Sequence, residues 1–141
     1  MSLARIGDLT LRARKYEFPD GSDYFDRNWL NISVTLSGGA EPLSYQWPCL
    51  LTTDLRQFRD RLSVLLAGLA DTASLDSMEP HIYVVMSRAG SGSYSAQLSI
   101  RDLADREHQR STDLSPTDVL ALRNQLDEII ALFPERDGGE V

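Results

Sequence analysis

TDLRQFRDRL, residues 53–62, and TDVLALRNQL, residues 117–126, share Thr, Asp, Arg and the closing Leu and stand 64 positions apart. Around each, apolar residues recur at helical spacing. The first set is Leu55, Phe58, Leu62, Leu65, Leu66 and Leu69; the second is Val119, Leu122, Leu126, Ile129, Ile130 and Phe133. Recurrence at i, i+3 and i+7 places such residues on one stripe of an α-helix. The same shift carries each member of one stripe onto a member of the other. Ser115 as N-cap, Pro116 at the first helical position and Asp118 three residues on form a helix-start signal. Pro134 stops the second helix, and Gly68 weakens the end of the first.

The shift also relates strands. It carries Leu30, Ile32, Val34 and Leu36 onto Tyr94, Ala96, Leu98 and Ile100. Both runs have period 2, with small polar outer faces: Asn31, Ser33, Thr35 and Ser37 in one, Ser93, Ser95, Gln97 and Ser99 in the other. Leu9, Leu11 and Ala13 alternate before Tyr16 and Phe18 take the opposite phase, which predicts a bulge or a strand end near Lys15. Tyr45, Trp47, Cys49 and Leu51 alternate too, although Pro48 forbids one ladder hydrogen bond. HIYVVM, 81–86, reads as a central strand, and 102–114 carries only a weak strand signal. The expectation is one α+β domain over residues 1–136, a mostly antiparallel sheet with both helices on one face. Its arrangement is an internal duplication of βββα type, with halves at about 5–70 and 80–134, and a flexible tail at 137–141.

A chain of 141 residues has the length of one domain and buries roughly 68–70% of its unfolded surface, enough for a core without metals or disulfides. Fourteen Lys and Arg against twenty-one Asp and Glu leave a net charge of −7. That balance argues against a nucleic-acid partner, whose phosphates need clustered cations. The plain reading of the charge is solubility; the sharper one is an acidic face made for a basic partner. The single cysteine, Cys49, has no internal disulfide partner and points to a reducing compartment. No apolar run approaches the ~18 residues of a membrane span. The start, MSLARIGDLTLRARK, has neither an apolar core nor a cleavage site of a secretory leader. A cytoplasmic protein without membrane contact is expected.

Catalytic and cofactor chemistry find no constellation of residues. Cys49 sits beside Pro48 in an apolar run, the setting of a buried structural thiol. His81 and His108 have no Cys, Asp or Glu at metal-ligand spacing. The acidic run Asp20, Asp23, Asp26 lacks the alternating ligands and closing glutamate of a calcium loop, and Asx turns explain the same residues. GSGS, 90–93, does not precede a helix and so lacks a phosphate cradle; it reads as a hairpin turn. The expectation is therefore no enzyme, no cofactor and no metal. The small polar sheet faces suit a flat partner surface, a composition that an ordinary solvated antiparallel face shares.

Five short pieces, YEFP (16–19), YFDRNWL (24–30), PCLLT (48–52), EP (79–80) and FPER (133–136), occur in an order that resembles the WapI-type immunity proteins, small bacterial proteins of mixed α and β structure. The resemblance runs from about residue 9 to 136. It implies a cytoplasmic, non-enzymatic antitoxin that neutralises the nuclease tip of a contact-dependent toxin by surface complementarity. A charge of −7 fits that role, since nuclease domains are usually basic and opposite charge speeds encounter. The motifs themselves are aromatic, proline and turn residues, which speak for fold rather than partner choice. RDLADREHQRSTDL, 101–114, departs from the family pattern in having no aromatic residue. On an otherwise catalytically empty chain, the expected partner-binding residues are Asp20, Asp23 and Asp26 on the first long loop. Asp71 and Asp76, on the loop after the first long helix, come next. The alternative is a small-ligand or regulatory binding module, with Trp29, Trp47 or Tyr94 lining a pocket between sheet and helices; core packing is the competing explanation for all three.

Overall fold

A computed structural model describes residues 2–40 and 42–137. The chain runs β1 (Leu3–Ile6), β2 (Leu9–Tyr16), α1 (Tyr24–Asn28), β3 (Trp29–Leu36), β4 (Leu43–Leu51) and α2 (Thr52–Leu66). It continues as β5 (Thr72–Leu75), β6 (Ile82–Arg88), β7 (Tyr94–Arg101), β8 (Glu107–Leu114) and α3 (Pro116–Leu132). Among the described residues the strands form two four-stranded antiparallel sheets, ordered β1-β2-β3-β4 and β5-β6-β7-β8. The α+β class and the antiparallel pairing are as expected. The strands, however, divide between two sheets, and each half holds one strand more than the three its periodicity shows. The additional strands are β1 and β5, four residues each with two buried side chains, too short to display a period. Of the expected tail, residues 138–141 lie outside the described residues.

Shifted by 64 positions, β3, β4 and α2 fall on β7, β8 and α3 to within about two residues at every boundary. The helix starts repeat in detail. Asp54 Oδ2 accepts from the Leu51 N–H at 2.9 Å, and Asp118 Oδ2 accepts from the Ser115 N–H at 2.9 Å. Ser115 completes its box by accepting from the Asp118 N–H. Each bond satisfies an N-terminal donor that has no partner within the helix. At the other end of α2, Gly68 adopts φ +77°, and the Gly68 and Leu69 N–H groups return to the carbonyls of Leu65 and Val64. This left-handed turn ends the helix. It throws Leu69 off the expected stripe, leaving that side chain 80% exposed.

The remaining stripe residues build the core crosswise. Helix α2 packs on β5, α3 packs on β1, and the two helices pack on each other. Arg59 Nη1 meets Asp127 Oδ1 at 2.7 Å across that helix pair. Each half's long helix thus covers the first strand of the other half, and the buried side chains of both sheets join one cluster. Gly7, in the β1–β2 turn at φ +58°, lies against Thr112 of β8, where a β-carbon would come within 2.7 Å.

Two irregularities shape the first sheet. Ala13 pairs with Ile32 and Lys15 with Asn31, so Arg14 is the extra residue of a bulge at the place the phase change predicts. Leu30 pairs with Leu50 and Ile32 with Trp47, so Pro48 and Cys49 together face Asn31. This second bulge accommodates a residue that has no N–H for the ladder. It also ends the alternation of β4: Cys49, Leu50 and Leu51 are buried in succession.

Candidate functional site

The first long loop is held by the far end of the chain. Asp23 Oδ1 accepts from the Asp26 N–H at 2.8 Å, which starts α1 where the sequence suggests only a turn. Asn28, at the end of α1, is fully buried. Its Nδ2 donates to the carbonyls of Tyr24 and Arg136, both at 2.8 Å, and its Oδ1 accepts from the Arg136 N–H at 2.7 Å. The Arg136 guanidinium lies 3.8 Å over the Tyr16 ring, a favourable cation–π position. It donates to the carbonyls of Phe18 and Pro19 at 3.1 Å and of Arg27 at 2.7 Å. YEFP, YFDRNWL and FPER therefore meet in space although more than a hundred residues separate the last from the others. They staple the chain end onto the loop, which is a structural role.

What this staple leaves facing solvent is a recess of about 390 Å³, lined by Glu17, Phe18, Pro19, Asp20, Gly21, Ser22 and Asp26. Phe18 is 45% exposed, and Phe25 beside Asp26 in α1 is 48% exposed. The carboxylates of Asp20 and Asp26 have no hydrogen-bond or ion-pair partner among the described residues. Asp23 differs, since its carboxylate caps α1. Glu17 belongs to the recess as well, and its Oε1 accepts from Asn31 Nδ2 at 3.1 Å. The alternation of β2 ends before Glu17, so sequence pattern alone does not single it out.

Asp71 and Asp76 are not part of this recess. The Tyr24 hydroxyl meets the Thr53 hydroxyl, which sets the loop beside the first turn of α2. Asp71 follows the opposite end of that fifteen-residue helix, roughly 22 Å away along its axis. Asp76 is held by Arg61 Nη1 at 3.4 Å and by the Ser74 hydroxyl at 3.1 Å.

Elsewhere, Cys49 and Asp102 serve the fold. Burial pushes the Cys49 thiol up to about 12, so the thiolate needed of a nucleophile is absent at neutral pH. Asp102, buried in the β7–β8 turn, accepts from His108 Nε2 and from the N–H groups of Arg106 and Ala104, all at 2.9 Å. The nearby Ser99 hydroxyl is turned to Glu107 at 2.8 Å, so the Asp–His pair has no nucleophile from that side chain. The His108 contact first, and then the backbone N–H groups, hold Asp102 down at about 2. A carboxylate depressed on folding contributes stability that is full above its unfolded pKa of ~3.9 and lost as pH falls through the folded value. Melting followed from pH 5 to pH 2 is therefore expected to show a falling limb below about pH 4 that Asp102→Asn flattens. An unchanged limb in that variant would take Asp102 out of the acid transition.

His81 Nδ1 lies 2.8 Å from the Arg101 carbonyl, and its ring meets those of Trp47 and Tyr45 at a tilt, with centroids 5.8 and 5.9 Å away. Among the described residues, no three His, Cys, Asp or Glu side chains are placed to hold a metal ion. Tyr94 is in the core cluster, Trp29 is half-buried at the start of β3 and Trp47 is exposed on β4. The three aromatics thus occupy three different settings.

No helix among the described residues is long and apolar enough to cross a membrane. No curated protein matches the sequence significantly. Among solved structures, one described as "Crystal structures of trypanosoma bruciei MRP1/MRP2" is similar at a TM-score of 0.48 and 10% identity, over 88% of this chain and 74% of that chain. The model of the Immunity protein WapI-like family matches residues 3–134, from the first residue of β1 through both sheets and α3, and the chain belongs to that family.

Proposed function

We propose that this protein is an immunity protein that binds a basic, nuclease-type toxin domain in the cytoplasm and neutralises it by covering its working surface. It performs no chemistry of its own. Membership of the family supports a protein partner. The observation that carries the finer reading is the recess with Asp20 and Asp26, two unpartnered carboxylates beside the exposed ring of Phe18 on a loop anchored by Arg136. Apolar anchors flanked by free charge suit an interface in which aromatic residues supply contact area and charges supply rate and register. Asp23, engaged in its cap, supports the loop's shape. Asp71 would serve only a partner broad enough to reach along α2, and Asp76 is already engaged by Arg61 and Ser74.

The test is inhibition and binding of a basic nuclease-type toxin domain, taken from a toxin gene adjoining this protein's gene where one is found. Asp20→Asn/Asp26→Asn is expected to weaken binding by about tenfold or more, chiefly through slower association that salt already suppresses in the parent protein. Unchanged affinity would remove the two carboxylates from the interface. Failure of the parent protein to inhibit that domain would overturn the toxin reading.

A further inference from the structure

The outer face of the first sheet carries charge of the opposite sign. Arg12, Arg14 and Lys15 are exposed on β2, and their side chains have no ion-pair or hydrogen-bond partner among the described residues. With Ser2, Ala13 and Gln46 they line a recess of about 400 Å³ that has no carboxylate in its wall. The bulge creates this grouping. By inserting Arg14 between the paired positions of Ala13 and Lys15, it sets two cations side by side where a regular strand would point one of them to each face.

The second sheet offers an internal comparison. Arg12 pairs with Ser33 and Lys15 with Asn31; 64 positions on, Gln97 pairs with Val85 and Ser95 with Ser87. The ladder places of the two cations are thus held by valine and serine, and the β6–β7 ladder runs without a bulge. Two cations of the second sheet are engaged within the fold: Arg101 pairs with Asp105 at 3.3 Å and Glu107 at 3.8 Å, and Arg110, which keeps its charge, donates to the Gly38 carbonyl at 3.0 Å. The sheet therefore forms without these charges, and Arg12, Arg14 and Lys15 are not needed for pairing. Arg5, on β1, lines a different recess that includes Asp113 and Asp118.

We propose that the Arg12–Arg14–Lys15 face is a second docking surface, which takes a carboxylate-rich segment of a protein partner. Thr10, Ser33, Thr35, Ser44 and Gln46 surround it with short uncharged donors and acceptors on a flat ladder. A protein is favoured over a nucleic acid on two grounds. The recess is lined by no aromatic side chain on which bases would stack. Glu17, bonded to Asn31 at one end of the face, would also meet a continuing row of phosphates.

Fluorescence anisotropy of a labelled oligoglutamate peptide tests this without any toxin, so its outcome is separate from that of the immunity reading. Binding at low ionic strength is expected, weakened about tenfold or more by Arg12→Ala/Arg14→Ala/Lys15→Ala. It should be retained in Arg12→Lys/Arg14→Lys and in Asp20→Asn/Asp26→Asn. No binding, or equal binding by the triple variant with an unmoved melting transition, overturns the proposal. Tighter binding of a short DNA duplex or RNA strand of equal charge would assign the face to nucleic acid and overturn it as well.

Discussion

Leu62→Ala and Leu126→Ala are each expected to lower the free energy of unfolding by about 2–5 kcal/mol, because both remove a buried side chain and leave a cavity that the surroundings fill only in part. The two residues stand 64 positions apart and are almost completely buried in the same cluster. Crosswise packing sharpens the expectation. Leu62 lies on α2, which packs on β5, and Leu126 on α3, which packs on β1, so each change is expected to weaken contact between the halves. Urea unfolding of either variant should remain a single transition with a lowered midpoint. Two separated transitions would show that the halves hold independent cores, against the single cluster. A midpoint left in place would show that the stripe is not core.

Asn28→Ala is the second large effect, about 2–4 kcal/mol, since truncating a buried amide strands the backbone groups it satisfied. Three hydrogen bonds disappear together: those to the Tyr24 and Arg136 carbonyls and that from the Arg136 N–H. The Arg136 guanidinium then loses the anchor that holds it over Tyr16 and under the carbonyls of Phe18, Pro19 and Arg27. Hydrogen exchange should report this as faster exchange through 17–28, with the sheet amides of β6 and β7 little changed. Asn28→Asp separates the parts, because a carboxylate still accepts from the Arg136 N–H but donates to neither carbonyl. Stability equal to the parent in both variants would show that the chain end is not held by this side chain. The acidic recess depends on the same contacts, so Asn28→Ala is expected to weaken partner binding without touching a carboxylate.

Legibility followed the kind of information each feature contains. Helices α2 and α3 were plain because a long stripe and a breaker agree in both, with a capping signal added at the start of α3. The alternation of Leu30 to Leu36 and of Tyr94 to Ile100 marked two inner strands, every apolar member of which is buried. Even the bulge near Lys15 was visible as a change of phase. Edge strands β1 and β5 were not, being too short for periodicity to separate from loop. Helix α1 was missed because five residues with one capping aspartate look the same as an Asx turn. In the candidate site, Asp20, Asp23 and Asp26 were identifiable as a cluster, but not that Asp23 is engaged, that Glu17 joins them, or that Asp71 lies at the far end of α2.

From the sequence alone came the periods: which residues face inward, where helices start and stop, and that one half repeats the other at a spacing of 64. Those are local properties, set by backbone geometry and side-chain burial within a few residues, and so they are written along the chain. Only the tertiary structure decided which strands pair, that two sheets form, that each helix crosses to the other half, and that FPER closes on YEFP and YFDRNWL. It alone also gathered Arg12, Arg14 and Lys15 into one uncompensated face on an acidic protein. Net charge sums over the chain, whereas recognition depends on which charges share a surface and which find partners within the fold.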